Sequence, residues 1–162
     1  MLRRACLGLL ISCLAVTAQA TPVSETGLPI PRFVSLRSDQ VNMRAGPGTR
    51  YPITWVYQRT GLPVEIINEF GNWRQIKDPY GSEGWVHHSM LSGARTAIVI
   101  KEIQMMYRDP DPESGPLIKV EPGVSGDVIE CEAEWCELII AGRKGWINKE
   151  YLWGVYRQEI FD

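Results

Sequence analysis

The side chains of this 162-residue chain that could do chemistry are four cysteines, two adjacent histidines, a group of glutamates around two of the cysteines, and a scatter of tyrosines and tryptophans. A nucleophilic cysteine needs a separate histidine base within hydrogen-bond reach. The histidines, His87 and His88, are neighbours in sequence and lie far from every cysteine in the chain order. As a metal site the pair is equally poor, because consecutive strand residues point to opposite faces and no Cys or carboxylate cluster beside them supplies further ligands. Glu130, Glu132, Glu134 and Glu137 bracket Cys131 and Cys136. They could mimic a paired-carboxylate site, and the alternative is a solvated hairpin tip. The residues therefore predict no catalytic centre, no metal and no cofactor.

The start of the chain sets the compartment. Met1 to Ala20 has a basic start at Arg3 and Arg4, an apolar run from Ala5 to Val16, and the small-residue site Ala18-Gln19-Ala20. That is the pattern of a secretory signal, and it predicts export to the periplasm with Thr21 as the first mature residue. The apolar run is shorter than the roughly 20 residues that cross a bilayer, so no stable membrane insertion is expected. Leu10-Ile11-Ser12-Cys13 leaves a second reading open, a lipoprotein anchored through Cys13. Loss of Arg3 and Arg4 takes the net charge from −2 to −4. The remaining basic residues are scattered singly, whereas a nucleic-acid binder needs a concentrated basic face; nucleic acid is excluded as a partner. Of the cysteines only Cys131 and Cys136 remain after cleavage. In an oxidising compartment they are expected to form one disulfide, with a pair of free buried thiols as the alternative. Four residues separate them, where redox-active pairs have two.

Residues 21–36, with Pro22, Pro29 and Pro31, read as an extended leader. From there on, short runs rich in Val, Ile, Trp and Tyr alternate with Gly, Pro, Asn and Asp clusters. Strands are predicted at Gln40–Arg44, Ile53–Gln58, Pro63–Glu69, Trp73–Lys77 and Gly84–His87, enough for a small barrel. The order of features then recurs. Met43-Arg44, Gly61-Leu62-Pro63-Val64, Trp73, Gly84-Trp85 and Leu91 have counterparts in Tyr107-Arg108, Gly126-Asp127-Val128, Trp135, Gly145-Trp146 and Leu152. The fold class is all-β: two consecutive small β-barrels, 37–93 and 95–156. The short linker between them and the apolar run Ala97-Ile98-Val99-Ile100 predict that the two pack as one unit.

Val41-Asn42-Met43-Arg44-Ala45-Gly46-Pro47-Gly48, followed by Gly61-Leu62-Pro63-Val64, Trp73 and Gly84-Trp85-Val86, resembles the opening and close of the bacterial SH3 domains of envelope and cell-wall proteins. The second repeat keeps the Trp, Gly-Trp and Leu framework but has Arg108-Asp109-Pro110-Asp111-Pro112 in place of the opening. With Cys131 and Cys136 it resembles the cysteine-bearing member of exported tandem SH3-like proteins of Gram-negative bacteria. The resemblance implies an envelope location and an SH3-like fold in each repeat, and it does not choose a ligand. The function expected is a non-catalytic binding module for peptidoglycan peptide through the first repeat, with assembly with another envelope protein as the alternative. An accessory part of a cell-wall hydrolase is the third reading.

Trp73, Trp85, Trp135 and Trp146 recur at matched positions and read as framework. The aromatics peculiar to the first repeat, Tyr51, Trp55, Tyr57 and Tyr80, lie near the Arg44–Gly48 loop or in the Asp78–Ser82 turn. They are the candidate ligand contacts, with Gly46 and Gly48 allowing close approach and Arg44 reading a carboxylate. For Arg44 a second reading stays open, that it pins its own loop by donating to backbone carbonyls.

Overall fold

The computed structural model describes residues 24–162. The expected signal at 1–20, the start at Thr21 and Cys13 lie outside the described residues. Among those described, no helix is long and apolar enough to cross a membrane.

The chain forms two seven-stranded antiparallel sheets with the same strand order. The first comprises β1 (Arg32–Leu36), β2 (Val41–Arg44), β3 (Ile53–Tyr57), β4 (Pro63–Phe70), β5 (Trp73–Lys77), β6 (Glu83–His87) and β7 (Leu91–Ser92), ordered β3-β2-β6-β5-β4-β1-β7. The second comprises β8 (Thr96–Val99), β9 (Gln104–Tyr107), β10 (Pro116–Val120), β11 (Ser125–Glu132), β12 (Trp135–Ile140), β13 (Arg143–Asn148) and β14 (Leu152–Trp153), ordered β10-β9-β13-β12-β11-β8-β14. The five central strands of the first repeat fall where the alternating pattern puts them. The expected closed barrels do not: β3 and β7 end their sheet without pairing to each other, and so do β10 and β14.

The two strands beyond the expected five explain the difference. Arg32–Leu36 belongs to the segment expected as a leader, yet it pairs with both β4 and β7. Pro29 and Pro31 precede this strand and so remove none of its ladder donors. Strand β7 is only two residues long, too short to show any period. The register also corrects the repeat. Arg44 stands opposite Trp85, and Tyr107 stands opposite Trp146, so Arg44 corresponds to Tyr107 rather than to Arg108. Likewise Gly61 corresponds to Gly123, not Gly126. Both have positive φ, and their N–H groups donate to Leu36 and Val99 respectively, at 2.8 Å each; only glycine takes that conformation without strain.

Each repeat has its own core, and β8 serves both. Its alternate residues Ala97 and Val99 face the core of the second repeat, whereas Ile98 is fully buried in the core of the first, beside Leu36, Val64 and Ile76. Burial on both faces is what a continuous apolar run signifies in a strand. Around this shared strand Thr96 Oγ1 lies 2.6 Å from Ser35 Oγ and donates to the Gly61 carbonyl at 2.8 Å. Trp153 meets Phe33 edge-on with ring centres 5.2 Å apart, and the Tyr156 hydroxyl donates to Glu65 at 2.8 Å. The repeats pack as one unit.

Cys131 and Cys136 are directly opposed across the β11–β12 hairpin and form a disulfide. Phe161 pairs with Cys131 through N–H···O bonds of 2.8 and 3.1 Å, folding the C-terminal segment over the bridge. Glu137 is buried and ion-paired with Lys144 at 2.6 Å, so it is not part of a solvated tip; Glu132 and Glu134 are exposed. A six-residue covalent loop restricts the unfolded chain little: the Cys131→Ser/Cys136→Ser double variant is expected to lose about 2 kcal/mol. Denaturant titration checks this, and a loss below about 0.5 kcal/mol would contradict the chain-entropy account.

Candidate ligand site on the first repeat

The predicted ligand residues separate into two groups. Trp55, Tyr57 and Tyr80 line one open groove of about 450 Å³ between the free edge of β3 and the Asp78–Ser82 turn, with Leu62 and Asp78 also in its wall. Arg44 lies instead in a different cleft with Asn42, Thr49, Trp73 and His87. Tyr51, Gly46 and Gly48 line neither.

The groove is built from its floor up. Tyr57 faces inward from β3 and is 5% exposed. Its hydroxyl donates to Asp78 Oδ2 at 3.1 Å, and burial together with the Asp78 carboxylate pushes the phenol well above its usual range. Asp78 is buried too, and its Oδ1 accepts from the backbone N–H groups of Tyr80 and Ser82 at 2.9 and 2.8 Å. One carboxylate thus fixes both the turn and the floor. On this base Trp55 and Tyr80 stand 59% and 73% exposed. Two large aromatics held that far into water lack a protein partner for most of their surface. In the sequence Asp78 is read only as the start of a turn and Leu62 only as a marker of the repeat, neither as a residue of the site. An Asp two residues before the N–H it accepts from is an Asx-turn signal that would have found the first.

The loop residues have structural duties. Arg44 Nη1 donates to the carbonyls of Thr49 and Tyr51 at 3.2 and 2.8 Å, closing the loop on itself. A Cβ on Gly46 would strike the Tyr51 ring at 2.6 Å, so the absent side chain seats that ring and leaves no space for a ligand. Gly48 accepts from Tyr51 N–H at 3.1 Å within the same turn. Of the recurring tryptophans, Trp73, Trp85 and Trp135 are only half-buried, and although Trp146 is buried none of the four belongs to either core cluster. The expectation that they are core framework is corrected on that point. His87 caps the 3-10 turn His88–Met90, its Nδ1 accepting from Ser89 N–H at 3.3 Å. Among the described residues no cluster of three or more His, Cys, Asp or Glu side chains could hold a metal ion.

Both repeats also match known sequences. The bacterial SH3 domain family covers residues 37–93 and 101–154. The chain belongs to that family. It is 27% identical over 154 residues to the putative N-acetylmuramoyl-L-alanine amidase YrvJ of Bacillus subtilis (strain 168), an alignment covering 88% of this chain and 30% of that protein. The chain thus spans less than a third of the length of this relative. Among solved structures, NlpC2 from Trichomonas vaginalis superposes with a TM-score of 0.37 at 11% identity, covering 80% of this chain and 50% of that one. An NlpC/P60 family protein from Bacillus cereus gives 0.34 at 11% identity, covering 74% and 55%. The two bacterial SH3 repeats of this chain share strand order, the buried Met43 and Met106 of β2 and β9, and Gly84 and Gly145, where a Cβ would press on those methionines.

Proposed function

We propose that this chain is an exported, non-catalytic binding module of the cell envelope that holds a cell-wall peptide in the groove of its first bacterial SH3 repeat. The carrying observation is the pair Trp55 and Tyr80, exposed on either side of a floor that Tyr57 and Asp78 lock in place. Rigid aromatics contribute large contact area at small entropic cost, as a groove for a short extended ligand requires. Family membership supports the compartment, and the likeness to a relative named for N-acetylmuramoyl-L-alanine, a sugar joined to an amino acid, supports the ligand class.

Pull-down with purified sacculi tests the reading. Trp55→Ala and Tyr80→Ala are each expected to weaken binding by about 1 to 3 kcal/mol with little change in melting, as for exposed interface aromatics. Arg44→Ala is expected to do the reverse, lowering stability by about 1 to 2 kcal/mol through the lost clasp and leaving peptide binding in the groove intact. Unaltered binding by the Trp55 and Tyr80 variants would refute the groove. A second reading, assembly with another envelope protein, is favoured by the edge of β3, unpaired among the described residues, where Ile53 and Val56 are 46% and 40% exposed. Such an edge accepts an added strand. A partner that stays bound after peptidoglycan is digested away, and is lost with Val56→Pro, would select it.

A further inference from the structure

The cleft that contains Arg44 has a counterpart in the second repeat. In the first it is walled by Asn42, Arg44, Trp73, His87 and Met90. In the second it is walled by Met105, Tyr107, Trp135, Asn148 and Tyr151. The strand register makes these the same five positions: Arg44 and Tyr107 each face a Gly-Trp strand, Trp73 and Trp135 open β5 and β12 opposite His87 and Asn148, and Met90 and Tyr151 end the 3-10 turns that follow. Gln40 lines the first cleft and Gln104 the second, but from positions one residue apart in the register, so the glutamines are not part of the shared set.

Shared chemistry survives the changes of residue type. His87 Nδ1 is engaged by Ser89, at 2.7 Å from its Oγ and 3.3 Å from its backbone N, which leaves Nε2 as the ring nitrogen outside the cap. Asn148 Oδ1 accepts from Glu150 N–H at 2.9 Å, which leaves its amide NH2 as donor. Different caps thus leave the same thing, a polar side-chain nitrogen beside an indole. The positive charge of Arg44 is absent from the second cleft, so charge is not the common feature. The indoles are fixed by edge-on aromatic neighbours, His87 at 5.5 Å from Trp73 and Tyr107 at 5.8 Å from Trp135.

We propose that these are two equivalent carbohydrate sites, one per repeat, separate from the peptide groove. A pyranose has a flat C–H face that suits an indole and a rim of hydroxyl groups, able to donate or accept, that suits the imidazole and amide nitrogens of His87 and Asn148. A site present twice in tandem fits a ligand made of repeating units.

The test is titration of the whole mature protein with tri-N-acetylchitotriose, followed by the indole N–H signals in NMR spectra. The expected result is saturable shifts at both Trp73 and Trp135, two sugars per chain, and no shift at Trp55. Trp73→Ala should abolish one site and leave affinity at Trp135 within about twofold, as for independent distant sites; Trp135→Ala should do the converse. Where either variant fails to fold, the wild-type shifts alone decide. Silent indoles, a response at one of the two only, or shifts produced by tetra-alanine and not by the sugar would overturn the proposal. Because sacculi carry glycan as well as peptide, the peptide groove is judged separately, by the shift that tetra-alanine produces at the Trp55 indole.

Discussion

Replacing Ile98 with Ala is expected to cost about 2 to 5 kcal/mol and to unfold the first repeat, although Ile98 belongs to a strand of the second sheet. The side chain is fully buried against Leu36, Val64 and Ile76, while its backbone lies between Ser125 and Trp153 in the second sheet. A cavity opened there removes packing from one repeat through a strand held by the other. Wild-type protein should accordingly unfold in a single transition, with tryptophan fluorescence and far-UV circular dichroism giving the same midpoint. Val99→Ala, one residue on, should weaken the second core instead, because Val99 points the other way. Two separated transitions in the wild type, or an Ile98→Ala variant whose first repeat keeps its stability, would show that the repeats stand alone.

That shared strand is also where sequence reasoning worked best and for a clear reason. Ala97-Ile98-Val99-Ile100 has no polar position, and only burial on both faces accommodates such a strand. The central strands β2 to β6 were equally legible, since each alternates or is bounded by turn residues with fixed conformational demands. β1 and β7 were not. β1 follows two prolines that disguise it as a leader, and β7 has two residues, fewer than any period needs. Matching repeats by residue type misplaced Gly61 against Gly126 because both precede an apolar strand. Only the positive φ and hydrogen bond of Gly123 identify the true counterpart.

For the candidate site, residue type told half the story. Trp55 and Tyr80 stand in one groove, but Arg44, the residue with the most suggestive chemistry, faces another cleft and is committed to Thr49 and Tyr51. An arginine beside glycines looks the same in sequence whether it reads a ligand or clasps a loop; the distinction lies in which carbonyls the chain brings within reach. Recurrence misled in the opposite direction. Trp73 and Trp135 recur, which suggested core, yet both are half-buried at a surface cleft. A repeated residue marks a repeated environment, and a surface site duplicated with the fold satisfies that as well as a core does.

The largest pH effect is expected at Glu69, which no sequence feature singles out. Its side chain is 1% exposed and receives the Arg32 guanidinium at 2.7 Å, the Arg74 Nε at 3.3 Å, and the backbone and hydroxyl of Thr26 at 3.0 Å. Burial alone would push this carboxyl up; the hydrogen bonds from Arg32 and Thr26 and the Arg32 charge outweigh it and hold the group down, at about 2 against an ordinary 4.5. A carboxyl depressed in the folded state stabilises above its unfolded value and loses that contribution as the pH falls toward its folded one. Stability should therefore be level above about pH 5.5 on this account and fall between about pH 4.5 and 2 by about 3 kcal/mol. Glu69→Gln is nearly isosteric and has no charge to lose, so its stability should be lower at neutral pH and much flatter across that window. Glu69→Ala should be worse at neutral pH, by about 3 to 5 kcal/mol, because it strands Arg32 and Arg74 as an unpaired, largely buried pair of like charges. The Thr26 contacts also make Glu69 the tether of the segment ahead of β1, so amide exchange at residues 26–32 should speed up in both variants before that of β4 changes. Urea midpoints at pH 7, 4 and 2.5 for the three proteins decide the matter. If the wild-type and Glu69→Gln curves fall in parallel below pH 4.5, the acid sensitivity belongs to another carboxyl and the Arg32–Glu69–Arg74 cluster is not the element that acid dissolves first.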